Sequence, residues 1–263
     1  MNVFKLMRVV ALLSILFVIV VGTWMTERRL AGWDRPAWVT VYPIAADQDA
    51  DTLRFVNSVE ASDFDAVNDF MERETRPYGI LVTPAFHIQV AAVRTRLPPD
   101  LPDQYSPLAI AWWSLKMRWW AWRMDFNDGL VEPDIQMFML YHGVNGRNEI
   151  DISVGMRKGR YGLVNAYAAK SMTPRNMVVF AHELLHVFGA SDKYVRSTGE
   201  PEFPFGFADP DQYPLFPQKR AELMGGRIPV SSFESRMPRS LEQCKIGRKT
   251  AEEIGFFDQL IDH

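Results

Sequence analysis

The chain has 263 residues, 48% of them hydrophobic and 23% charged, with a formal net charge of −3 at pH 7. That balance supports one globular domain with a sizeable core and excludes the basic footprint of a nucleic-acid-binding protein. The single cysteine, Cys244, excludes an intramolecular disulfide framework and a cysteine-rich zinc site, and reads as a small buried side chain.

Residues 1–30 stand apart from a domain spanning 31–263. Val9 to Trp24 is a nearly unbroken apolar run, with Lys5 and Arg8 before it and Glu27, Arg28 and Arg29 after it. A spanning helix needs about 20 residues and a signal-peptide core about 7 to 15, so the run falls between the two. No clear small-x-small cleavage site follows. The segment therefore reads as an uncleaved membrane anchor acting through residues 9–25, with a cleaved signal and a buried core helix as alternatives. In most topologies either of the first two places the domain outside the cytoplasm, tethered or exported.

Arg35-Pro36 makes a short linker, and Ala37 to Ile44 alternates apolar with polar residues as a half-buried strand does. Ser62-Asp63 opens an amphipathic helix through about Arg76, with Phe64, Val67, Phe70 and Met71 on its apolar face. Phe86 to Val93 reads as the next strand, and Leu97 to Pro102 as an exposed loop. From Ser106 to about Asp125 a tryptophan-rich helix is expected. Its polar residues fall into two narrow wedges, Ser114 with Arg118 and Lys116 with Arg123, which leaves two apolar faces. One face can cover a sheet. The other is expected to pack within the domain as well, the alternative being contact with a membrane surface, which suits Trp and Arg. Ile135 to Tyr141, Ile150 to Val154 and Tyr161 to Ala168 read as strands, the first two joined by the turn residues Gly143, Asn145, Gly146 and Asn148. Strands alternating with helices in this order predict a mixed αβ layer.

The stretch that carries chemistry is His182-Glu183-Leu184-Leu185-His186, on a helix predicted over 174–188. Thr173 is its expected N-cap, Pro174 its first residue and Gly189 its terminator. Residues four apart lie on one helical face, so His182 and His186 can hold one metal ion, while Glu183 can reach a water bound there as general base. The helix is apolar nearly all round, which predicts burial. Two buried histidines and a glutamate without partners would cost about 1 to 3 kcal/mol each, and a metal with its water removes that cost.

A catalytic zinc takes three protein ligands. Asp192 is the nearest candidate, provided the chain turns after the helix, and Gly189 can take the positive φ such a turn needs. In this pattern of His182, Glu183, His186, Gly189 and Asp192 the chain resembles the metzincin clan of zinc endopeptidases, whose HExxHxxGxx motif ends in His or, as in the snapalysin family, Asp. The resemblance implies that His182, His186 and Asp192 bind Zn2+, that Glu183 activates water, and that Met224 is the counterpart of the methionine turn beneath the metal. Glu222 or Glu202 is the alternative third ligand, as in gluzincins, with Asp192 then capping the helix or orienting His186. Tyr194 is a candidate to stabilise an oxyanion, or else part of the wall of the site.

Downstream, Gly199 to Pro217 is rich in proline and aromatic residues and is expected to pack as a stiff loop, walling a cleft or covering the core. A short helix is predicted from Pro217 or Gln218 to Met224, and a C-terminal helix to about Ile261 begun by a capping box of Thr250 and Glu253. Lys193 is expected to be solvated, and His87, His142 and His263 to be structural. The expected fold class is α+β, a zincin-like mixed sheet with a central metal-binding helix behind one N-terminal anchor helix. The expected function is zinc-dependent hydrolysis of a peptide or protein substrate. Alternatives are a non-proteolytic metal-binding envelope protein and a zinc amidohydrolase acting on another substrate.

Overall fold

Strand β1 (Ala37–Ala45) lies inside a five-stranded sheet and is buried from Val39 onward. In the computed structural model, which describes residues 7, 8, 13, 14, 17, 32–47, 49–100, 102, 106–124, 129–144, 154–156 and 160–257, β1 is followed by α1 (Ala50–Val56) and α2 (Asp65–Thr75). Next come β2 (Phe86–Val90), α3 (Pro107–Met124), β3 (Ile135–His142), β4 (Val154–Met156), β5 (Tyr161–Tyr167) and α4 (Thr173–Phe188). The strand order is β2-β1-β3-β5-β4, with every pair parallel except the β4 edge, which runs antiparallel to β5. This is an α+β fold built on a mixed, largely parallel sheet.

Such a sheet is covered by helices on both faces, and β1 is accordingly buried on both sides instead of half-buried. On one face Val39, Val41, Met137, Met139 and Val164 pack with Val67 and Phe70 of α2 and with Phe180, Leu184 and Leu185 of α4. On the other, Tyr42, Ile44, Phe138, Leu140, Tyr161 and Leu163 meet Trp113, Met117, Trp120, Ala121 and Met124 of α3. The strand period of two sends alternate residues to the two helical layers.

Helix α3 departs from expectation. Only one of its apolar faces is packed; Leu108, Trp112, Leu115, Trp119 and Trp122 on the other are exposed. The sheet covers one side of the helix, and no described segment closes over the other.

The chain after α4 also differs from its prediction. Pro217 to Met224 is not a helix: Ala221–Glu222 (β6) pairs in parallel with Cys244–Lys245 (β9), and Leu223–Gly225 makes one 3-10 turn. The Glu222 side chain accepts from the Gly225 N–H, an interaction that closes the turn in place of a helical ladder. Between them Ile228–Pro229 (β7) pairs with Ser235–Arg236 (β8). Helix α5 (Arg248–Glu253) starts from Gly247, not from a Thr250 cap, because Thr250 is buried one turn inside it and donates to Glu222. The helix does not run on to Ile261 as expected: it ends at Glu253, and 254–257 form a turn in which Gly255 takes a φ of 83°, the residues after Phe257 lying outside the described ones. Cys244 is buried as expected, with its thiol pushed up to about 12 by that burial.

The Val9 to Trp24 run, most of the strand expected at 150–154 and His263 fall largely or wholly outside the described residues. Among the described residues no helix is long and apolar enough to cross a membrane.

Candidate metal centre

Helix α4 carries Pro174 in its first turn and ends at Gly189, whose φ of 109° is the left-handed value that favours glycine. Its N-cap is Met172, with Thr173 already helical and making no side-chain cap. At the other end the Gly189 N–H bonds to the carbonyls of Leu185 and His186, and the Ala190 N–H to that of Leu185. Helical pairing is thereby spent, and the chain reverses toward the histidine face.

The two imidazoles stand at 84° to each other with centroids 4.8 Å apart. Each is oriented by its inner nitrogen: His186 Nδ1 lies 2.8 Å from the Ala190 carbonyl, and His182 Nδ1 lies 2.9 Å from the Leu223 carbonyl. A carbonyl can only accept, so each Nδ1 carries the proton and each Nε2 of a neutral ring keeps its lone pair. Those two Nε2 atoms are 3.2 Å apart. Asp192 Oδ1 completes the group, 3.0 Å from His186 Nε2 and 3.3 Å from His182 Nε2.

The electrostatics have one origin. Burial would raise Asp192, but the two facing imidazoles hold its carboxyl well below the usual range. Burial would likewise depress His182, yet Asp192, the Glu183 charge and the Leu223 carbonyl together raise it. Two lone pairs and a carboxylate oxygen converging at this distance suit a cation, and the three residues could hold a metal ion.

Glu183 is 5% exposed and lies over β5, where its Cβ would be 3.8 Å from a Cβ at Gly162. A Cβ at Gly162 would lie 2.8 Å from the end of the Met137 side chain on the neighbouring strand β3, so glycine leaves room there for Met137. The Glu183 charge acts on both His182 and Tyr194, which places the carboxylate on the site side of the helix. Tyr194 stands with its ring 6.3 Å from that of His182, and its hydroxyl meets Asp192. Burial and then the Asp192 charge push that phenol up to about 12.

The alternative third ligands sit elsewhere. Glu222 is fully buried with its carboxylate taken by the Gly225 and Gly247 N–H groups and the Thr250 hydroxyl, and Glu202 is exposed. Met224 is buried in the turn whose Leu223 carbonyl receives His182, and its own carbonyl accepts from Lys193 N. His87 packs at a tilt against the Trp38 ring and His142 bonds Asn165, away from the histidine pair.

Sequence reasoning missed the frame that holds Asp192. Lys193, expected to be solvated, is 5% exposed; its ammonium donates to the Ser191 carbonyl, the Ser191 hydroxyl and Glu253. Glu253 also accepts from the Ser191 N–H and hydroxyl. The residues before and after Asp192 are therefore fixed to α5. Lys193 is buried because its charge is paired there, a partnership across 60 residues that no local pattern signals. The 199–217 stretch packs against this frame: Tyr194 bridges Pro201, and Gly206 fits against the Lys193 carbonyl where a Cβ would lie 2.2 Å away.

No protein-family model matches the chain, and no curated protein matches it.

Proposed function

We propose that the chain is a zinc-dependent peptidase of zincin-like fold, held at or exported across a membrane by its N-terminal segment. The observation that carries this reading is the convergence of His182 Nε2, His186 Nε2 and Asp192 Oδ1 within 3.3 Å, each imidazole turned by a carbonyl so that its lone pair points inward. His182, His186 and Asp192 are the residues that would hold zinc. When bound, zinc supplies Lewis acidity toward a carbonyl and makes water acidic enough to deprotonate near neutral pH.

The chain's own groups supply the rest. Glu183, buried beside the histidines, accepts the proton of the attacking water and returns it to the departing amine. Tyr194, a phenol protonated at neutral pH whose ring stands beside that of His182, can donate to an oxyanion. The 199–217 loop, bridged to Tyr194 through Pro201, stands beside the reacting groups as a wall for substrate.

The test is release of new amines from a mixed peptide library by the zinc-loaded protein and by Glu183→Gln. The variant is expected to bind zinc like the parent and to turn over at least about a hundredfold more slowly. Equal turnover would remove Glu183 from the mechanism. Zinc bound with no hydrolysis by either protein favours the metal-binding, non-proteolytic reading.

A further inference from the structure

Across the sheet from the candidate site, α3 presents an apolar stripe to solvent. Leu108, Trp112, Leu115, Trp119 and Trp122 follow one another at steps of four and three, and their exposures are 84%, 61%, 59%, 55% and 66%. At 100° per residue they fall in one band about 80° wide. Cations border it on both sides: Lys116 and Arg123 along one edge, Arg118 along the other, all exposed. Lys116 lies 6.0 Å from the Trp112 ring and Arg123 4.8 Å from that of Trp119. No acidic residue occurs between Pro107 and Met124.

Three occupants compete for such a face. A second copy of the chain would set rows of Lys and Arg against the same rows, with no acid on the helix to neutralise them. An acidic partner helix would satisfy the cations but leaves the band of tryptophans without a specific counterpart. A lipid surface satisfies all parts at once: Leu enters the acyl boundary, Trp sits at the headgroup level, and the flanking cations meet anionic headgroups. The stripe is about 21 Å long, which suits a helix lying in the interface and not one crossing it. The Val9 to Trp24 run of the same chain is of a composition that enters the same phase.

We infer that α3 is a membrane-docking helix that lies flat on an anionic bilayer through Leu108, Trp112, Leu115, Trp119 and Trp122. The metal helix covers the opposite face of the sheet, so docking holds the candidate site away from the lipid and open to substrates in the aqueous phase. This inference is independent of whether the site hydrolyses peptides.

The test uses the full chain with a nitroxide attached at Leu115→Cys, Cys244 being buried and unreactive. A matching label at Arg54→Cys, on the exposed side of α1, is the control. On vesicles of mixed phosphatidylcholine and phosphatidylglycerol, the label at 115 is expected to lose several-fold of its collisions with a water-soluble paramagnetic reagent and to gain collisions with oxygen, while the label at 54 stays unchanged. Because the label reads α3 itself, binding through the N-terminal segment alone does not reproduce this result. Lys116→Gln and Arg123→Gln, both surface changes whose folding is checked by an unchanged unfolding midpoint, are each expected to weaken the docked signal about fivefold. A label at 115 that stays equally accessible to the aqueous reagent on vesicles overturns the inference. So does protection that arises without lipid and grows with protein concentration, which would make the stripe a self-association surface. Equal protection on neutral vesicles, indifferent to both substitutions, overturns the anionic surface.

Discussion

The two histidines of the candidate site are positioned by opposite means. His186 is held locally, by the carbonyl of Ala190 four residues on, in the turn that Gly189 makes. His182 is held from 41 residues away, by the carbonyl of Leu223, in a turn that Glu222 closes from the core. Local support needs a glycine at one place. Distant support needs a buried carboxylate with three donors, and Glu222 has them in Gly225 N, Gly247 N and Thr250 Oγ1 at 2.7, 3.1 and 2.7 Å. The distant arrangement is the more costly to disturb, because each of those donors is left in the core without an acceptor when the carboxylate is removed.

Glu222→Ala is therefore expected to show the largest effect, a loss of about 3 to 5 kcal/mol. In a domain of this size that corresponds to a fall of about 10 °C in the unfolding midpoint, readable by calorimetry. Zinc affinity should fall with it, since the Leu223 carbonyl loses its fixed place. Glu222→Gln, which keeps the shape and an acceptor, should lose about half as much; equal losses would argue that filling the space matters more than pairing the donors. Gly189→Ala attacks the local support instead. A side chain at φ 109° is strained, and the expected cost is about 1 to 2 kcal/mol, read from denaturant midpoints. A Gly189→Ala loss exceeding that of Glu222→Ala would reverse the comparison.

The frame around Asp192 gives the smallest effect and one that depends on pH. Burial would raise Glu253, but Lys193 and the Ser191 N–H hold it below its ordinary 4.5. A carboxyl depressed on folding stabilises the fold above its unfolded value, and that contribution is lost as pH falls through the folded value. The stability advantage of the parent over Glu253→Gln, measured by denaturation, should thus be full at pH 7 and shrink steadily below about 4.5. A difference unchanged down to pH 3 would mean that the Lys193 contact contributes nothing to stability.

The same contrast between local and distant explains what the sequence could reveal. Helix α4, its histidine spacing and the turn at Gly189 are local patterns, and so are the alternation at 37–44 and the apolar residues at 135 and 161 that mark the strands. The convergence of Asp192 on the histidines could be anticipated because only Gly189, Ala190 and Ser191 lie between the end of the helix and Asp192. Lys193 reads as solvated from sequence because its partner, Glu253, is distant, and the 218–224 segment reads as helical because its order comes from pairing with 244–245. The periodicity of α3 showed two apolar faces but carries no information about how many layers the fold provides. Among the described residues there is one, and the Trp112 side is exposed.

The most direct measurement is zinc binding by the full chain and by Asp192→Ala, followed by competition with a chromophoric chelator. The predicted result is one zinc per parent chain, with affinity reduced about a hundredfold or more in the variant, because two imidazoles alone leave the ion short of a ligand. Equal stoichiometry and equal affinity in the two proteins would contradict the assignment of His182, His186 and Asp192 as one metal centre.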